Sequence, residues 1–152
     1  MSSRIVIPNE VFFAEVERLI SEGCDTELQV KGYSMRPFMR SDRTRVRLSP
    51  CDTAGLRRGE VVLFRYRGRH VMHRIAKRCG DEFVMVGDGN IGIEERCTSG
   101  DIIARATAVI SNSGRVLSCD SRLWRTASAL WVSLPQFVRR CILGALWRIG
   151  VK

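Results

Sequence analysis

The sequence predicts a mainly β fold with flanking helices: a curled antiparallel sheet or partly open barrel. Three observations carry this expectation. Short runs rich in Val, Ile and Phe recur between residues 26 and 117, each bounded by turn-forming residues. One segment with a helical apolar period precedes them and two follow. The chain has 152 residues, 45% of them hydrophobic, which suffices for one domain with a core and short additions.

The elements follow in chain order. Asn9, after Pro8, can cap a helix that runs to about Glu22 and stops at Gly23. Phe12, Val16, Leu19 and Ile20 fall on one face, and charged residues fill the rest. Thr26–Lys31 is a short strand. Thr44–Leu48 alternates Arg45 and Arg47 with Val46 and Leu48, so one face is buried. Strands are expected at Glu60–Tyr66, His70–Arg78, Glu82–Val86 and Asp101–Ile110. The pairs Arg67-Gly68, Gly80-Asp81 and Ser99-Gly100 and the run Asp88-Gly89-Asn90 separate them. Asn112–Gly114 forms a hairpin turn before Val116–Leu117. From Ser121 the helical period returns. Leu123, Trp124, Ala127, Leu130, Trp131 and Leu134 make one stripe. After Pro135, a second stripe runs through Phe137, Val138, Cys141, Ile142, Ala145, Leu146 and Ile149. The expected divisions are 1–23 (helix), 24–119 (sheet domain) and 120–152 (basic helical tail).

Charge narrows the function. The net charge is +9, and residues 121–152 hold six basic residues and no acid. That asymmetry asks for an acidic partner of the tail rather than of the whole chain. Basic amphipathic helices with tryptophans suit peripheral contact with a membrane surface, or docking to a partner protein. Nucleic acid fits poorly, because the stripes are strongly apolar and no recognition helix is evident. The six cysteines show no CxxC spacing and no cysteine–histidine cluster, so neither a zinc site nor another cofactor is called for. Their wide spacing, without a signal-peptide pattern at the start, favours free thiols in a reducing, cytoplasmic setting. No apolar run approaches the ~18 residues that span a bilayer.

Three segments carry chemistry. Gly32-Tyr33-Ser34-Met35-Arg36-Pro37 falls between two strands, where a loop can expose the Ser34 hydroxyl. A serine is a weak nucleophile that needs a base and donors for the developing oxyanion. His70-Val71-Met72-His73-Arg74-Ile75 contains both histidines of the chain. Their odd separation puts them on opposite faces of a strand, so only one can face Ser34. His73 shares its face with Val71, Ile75 and Lys77, whereas His70, beside the Gly68 turn, is expected at the surface. Lys77 is the rival base, since a buried lysine can be deprotonated. Its place near the strand end keeps it solvated and leaves His73 ahead. A carboxylate must then orient the base. Asp88 in Gly87-Asp88-Gly89-Asn90 and Glu95 in Glu94-Glu95-Arg96 are the candidates, although Asp88 alone reads as turn chemistry.

Together and in this order, the segments resemble the signal-peptidase superfamily of serine peptidases. The family blocks appear here as Ser34-Met35-Arg36-Pro37, Gly59-Glu60-Val61-Val62-Leu63-Phe64, His73-Arg74-Ile75 and Gly87-Asp88-Gly89-Asn90. The likeness covers roughly residues 28–110. The His-Arg-Ile block is closest to the archaeal and endoplasmic-reticulum branch, which uses a Ser/His pair with an acidic residue. The fold is shared with the SOS-repressor autoproteases. The resemblance implies a serine endopeptidase acting on a protein or peptide precursor, with Ser34 as nucleophile and His73 as base. Asp88 or Glu95 would be the third member; Asp88 is favoured because its motif is intact. There are departures. Glu60 stands where Asp is usual. Gly32 replaces the hydroxyl residue that often precedes the nucleophile by two, which leaves the oxyanion to backbone N–H groups. An acidic amphipathic helix stands where signal peptidases carry a membrane helix. The alternative is a non-catalytic module that keeps the fold to bind a peptide or a membrane.

Overall fold

The computed structural model describes residues 9–150; Pro8 and Lys152 lie outside the described residues. The element order is α1 (Asn9–Ser21), β1 (Thr26–Gln29), β2 (Thr44–Ser49), β3 (Val61–Tyr66), β4 (Arg69–Cys79), β5 (Glu82–Val86), β6 (Glu95–Thr98), β7 (Ile102–Ser111), β8 (Val116–Ser118), α2 (Arg122–Ser133) and α3 (Gln136–Arg148). Every strand pairing is antiparallel, in the order β1-β2-β7-β3-β4-β5-β6, with β8 pairing β7. The sheet is open. Its β3–β6 half curls until β6 touches β3. The expected mainly β architecture with an N-terminal helix and two C-terminal helices is therefore what the chain forms.

Two apolar clusters hold the sheet. One joins Val16 and Ile20 of α1, Met35 and Met39 of the loop after β1, Val46, Leu48, Leu63 and Ala104 of the strands, and Trp124 of α2. The other fills the curl with Val62, Phe64, Ile75, Phe83, Met85 and Cys97. Each fully buried large apolar side chain contributes about 1.5–3 kcal/mol. The buried alternation of β2, with Val46 and Leu48 inward and Arg45 and Arg47 outward, is the pattern expected from its sequence.

Three details differ from expectation. In α1, Phe13 rather than Phe12 turns inward with Val16 and Ile20, because its ring stacks on His70 at 4.3 Å. His70 is accordingly not a free surface residue: Nε2 lies 2.6 Å from Glu17 Oε1, and Arg65 Nε donates to the same carboxylate at 2.9 Å. This cluster fastens α1 to the β3–β4 hairpin. The third concerns the basic segment, which divides in two. Trp124, Ser128 and Trp131 of α2 are buried, so α2 is part of the core. Leu123 and Leu130 of its expected stripe are exposed instead. α3 has no fully buried residue. Among the described residues, no helix is long and apolar enough to cross a membrane.

Candidate functional site

The site is assembled where β4, the turn after β5, and the loop after β1 meet. His73 lies in the middle of β4 and is buried. Its Nδ1 is 2.9 Å from Glu95 Oε2, at the first residue of β6. An ionised carboxylate can only accept, so Nδ1 carries the proton and donates it to Glu95. In the neutral ring with this tautomer, Nε2 presents a lone pair. β6 runs beside β5, and Glu95 pairs in register with Met85, so the curl of the sheet brings Glu95 to the ring.

The turn Gly87–Asn90 brings the serine loop to the other side of this ring. Gly89 N–H donates to the Ser34 carbonyl at 2.7 Å. A Cβ on Gly87 would stand 2.7 Å from that carbonyl and 3.0 Å from His73 Nε2. A Cβ on Gly89 would stand 2.5 Å from the Tyr33 carbonyl. Contacts this close leave no room for a side chain, so both glycines are required by the approach of one backbone to another. The free nitrogen of the imidazole and the Ser34 backbone therefore face the same small space. Ser34 itself is half-buried. Among the described residues its hydroxyl makes no hydrogen bond, and its N–H takes no acceptor.

Asp88, favoured as the third member, does not reach His73; its partner is Arg74. Arg74 Nε donates to Oδ1 at 2.8 Å and Nη2 to Oδ2 at 2.6 Å, and neither side chain is exposed. Arg74 Nη1 also donates to the Gly59 carbonyl at 2.8 Å and to Ser128 Oγ at 2.6 Å. The guanidinium lies over the Phe38 ring at 4.4 Å. The reason is strand alternation: Arg74 follows His73 and so points through the opposite face of β4. Burial pushes the Asp88 carboxyl up, and the bidentate Arg74 pulls it back down. Asp88 thus anchors the turn from beneath, and Glu95 is the acid that meets the histidine.

Lys77 leaves the site for a different reason. Ile75 pairs with Met85, but Lys77 pairs with Val84, so a β-bulge inserts Ala76. Cross-strand partners share a face, and Met85 and Val84 point to opposite faces. The bulge therefore puts Lys77 on the face away from Ile75 and His73, where it is exposed. Sequence alternation alone did not disclose this, nor the strand that carries Glu95. Gly87 and Gly89 were visible only as turn residues.

A cleft of about 530 Å³ lies between α2 and the sheet and includes none of Ser34, His73 or Glu95. Among the described residues no group of three His, Cys, Asp or Glu could hold a metal. No family model and no curated protein matches this chain.

Proposed function

We propose that this chain is a serine endopeptidase of the signal-peptidase-like class that cleaves a protein or peptide precursor. Ser34 is the nucleophile, His73 the general base and Glu95 the residue that orients it. One observation carries the reading: a buried histidine is hydrogen-bonded through Nδ1 to a carboxylate, while its Nε2 and the Ser34 carbonyl border the same small space beside Gly87. This is the tautomer and orientation a serine hydrolase requires.

In the proposed reaction, Ser34 Oγ forms a bond to the scissile carbonyl carbon as its proton passes to His73 Nε2. The imidazolium is stabilised by Glu95. The carbonyl π bond opens to an oxyanion, for which the Ser34 N–H is an available donor. Collapse breaks the C–N bond, and His73 returns the proton to the leaving amine. Water, deprotonated by the same nitrogen, then bonds to the acyl carbon, and as the C–Oγ bond breaks His73 returns that proton to Oγ. The reaction requires the Ser34 hydroxyl to come within hydrogen-bond reach of Nε2, and such contacts commonly tighten when substrate binds.

The test is cleavage of a defined peptide mixture, read by mass spectrometry. Wild type should cut, and Ser34→Ala and His73→Ala should not while keeping the wild-type fold. The competing reading is a peptide-binding module; the unpartnered Ser34 hydroxyl favours it. Cleavage by Ser34→Ala at the wild-type rate would overturn Ser34 as the nucleophile, and no cleavage by wild type would decide for the module.

A further inference from the structure

A slot of about 200 Å³ lies beside the serine loop, walled by Tyr33, Arg36, Pro37, Leu143, Leu146 and Trp147. Gly89, which holds the Ser34 carbonyl, lines it too, as does Arg40. The slot therefore touches the same stretch of backbone that carries Ser34. Its outer wall is α3, whose Leu143, Leu146 and Trp147 fall on one face.

The chemistry of the slot is set by Arg36. Its guanidinium stands 4.2 Å from the centroid of the Tyr33 ring and 5.4 Å from that of Trp147. Its Nε and Nη2 are shut off from solvent and have no hydrogen-bond partner. Leaving two buried donors unmade is costly, so they call for an acceptor. The same protein shows which acceptor suits that edge. Arg74 uses Nε and Nη2 to grip the two oxygens of Asp88. Arg36 offers the identical edge with nothing on it. No Asp or Glu lines the slot, and a second cation, Arg40, does.

We propose that this slot recognises a carboxylate side chain, Asp or Glu, of the peptide substrate, with Arg36 gripping it through Nε and Nη2. The apolar walls take the methylenes and exclude water, which strengthens the charged contact. Tyr33 and Trp147 hold the guanidinium plane. An extended peptide advances about 3.3–3.6 Å per residue, so the recognised acid lies within a few residues of the bond presented to Ser34. Nε and Nη2 of Arg36 are closed to solvent as the slot stands, so a carboxylate reaches them only as the wall that bears Trp147, 57% exposed on a helix with no fully buried residue, gives way.

The inference rests on the peptidase reading for its substrate, and the two are separable. First, a fluorophosphonate probe on wild type reports whether Ser34 is reactive. Second, the peptides cut from a mixed library are sequenced. Asp or Glu should be enriched about tenfold or more at one position within three residues of the cut, and Arg36→Glu should reverse the preference toward Lys or Arg. Third, the full-length Ser34→Ala chain is titrated with a Glu-containing peptide and its Gln twin, followed by tryptophan fluorescence. The Glu peptide should bind at least tenfold more tightly, and Arg36→Gln should remove the difference. A reactive Ser34 with no acidic preference overturns the slot and leaves the peptidase. An unreactive Ser34 overturns the peptidase, and equal binding of the Glu and Gln peptides then overturns the slot as well.

Discussion

Replacing Asp88 with Asn separates a structural acid from the proposed orienting acid, Glu95. The Arg74 guanidinium is fully buried and holds both Asp88 oxygens, at 2.8 and 2.6 Å. Asn keeps the volume but removes the charge and turns an amide NH2 toward a cation. Removing one partner of a buried pair costs about 3–5 kcal/mol, because the other charge is left uncompensated. Ser128 and the Gly59 carbonyl still accept from Arg74 and keep the loss toward the lower end. For a domain of this size each kcal/mol lowers Tm by about 2–4 °C, so Asp88→Asn should melt about 6–20 °C below wild type. Glu95→Gln should behave in the opposite way. Glu95 sits at the edge of the sheet with its side chain 12% exposed, and among the described residues its side chain hydrogen-bonds to His73 alone. It should melt within a few degrees of wild type yet lose activity by about 10³–10⁴-fold, the scale seen when a base loses its orienting carboxylate. Thermal melts by circular dichroism and a cleavage or labelling rate measure both quantities. Asp88→Asn with wild-type Tm and abolished activity would refute this division of roles.

Three further outcomes follow from the same geometry. Gly87→Ala should suppress activity strongly, since its Cβ would stand 2.7 Å from the Ser34 carbonyl and 3.0 Å from His73 Nε2; an active Gly87→Ala enzyme contradicts the close approach. Glu17 is held at about 2, below its ordinary 4.5, by Arg65 first and by His70. A lowered folded-state pKa contributes stability that is present above 4.5 and lost as pH falls toward 2. Acid unfolding followed by circular dichroism should therefore be less steep in Glu17→Gln over that window, and an unchanged slope contradicts the α1 fastening. Burial pushes the Cys119 and Cys97 thiols up to about 12 and about 11. With iodoacetamide at mildly alkaline pH, exposed Cys24, Cys79 and Cys141 should be modified first, and mass mapping that finds Cys119 equally fast contradicts the packing of α2.

Most of the sheet was legible because its strands carry strong apolar signals between turn residues, as in Val61–Tyr66 and Glu82–Val86. β6 was not legible. Glu95-Arg96-Cys97-Thr98 alternates inward and outward, but its inward positions are Glu95 and Cys97, so the four residues carry no apolar period to read. Asp88 was favoured for its intact motif, and without that strand nothing in the sequence placed Glu95 beside His73. Intact Gly-Asp-x-Asn spacing says that a turn is present, not which side chain its Asp meets; strand alternation at Arg74 decides that. The stripe read in α2 was displaced by about one residue, because Ser128 is buried to accept from Arg74 while Leu123 and Leu130 stay outside. Period alone cannot anticipate a buried polar contact. Ser34 and His73 were singled out by motif order, and the close approach of the Ser34 backbone to the Gly87–Asn90 turn rests on two glycines whose role appears only in three dimensions.

The central claim is that His73, oriented by Glu95, activates Ser34. The most direct measurement is the rate of fluorophosphonate labelling at Ser34, mapped by mass spectrometry, in wild type, His73→Ala and Glu95→Gln. The account predicts labelling of Ser34 in wild type and a large loss in both variants at unchanged fold. Wild type that is not labelled, or His73→Ala labelled at the wild-type rate, contradicts it.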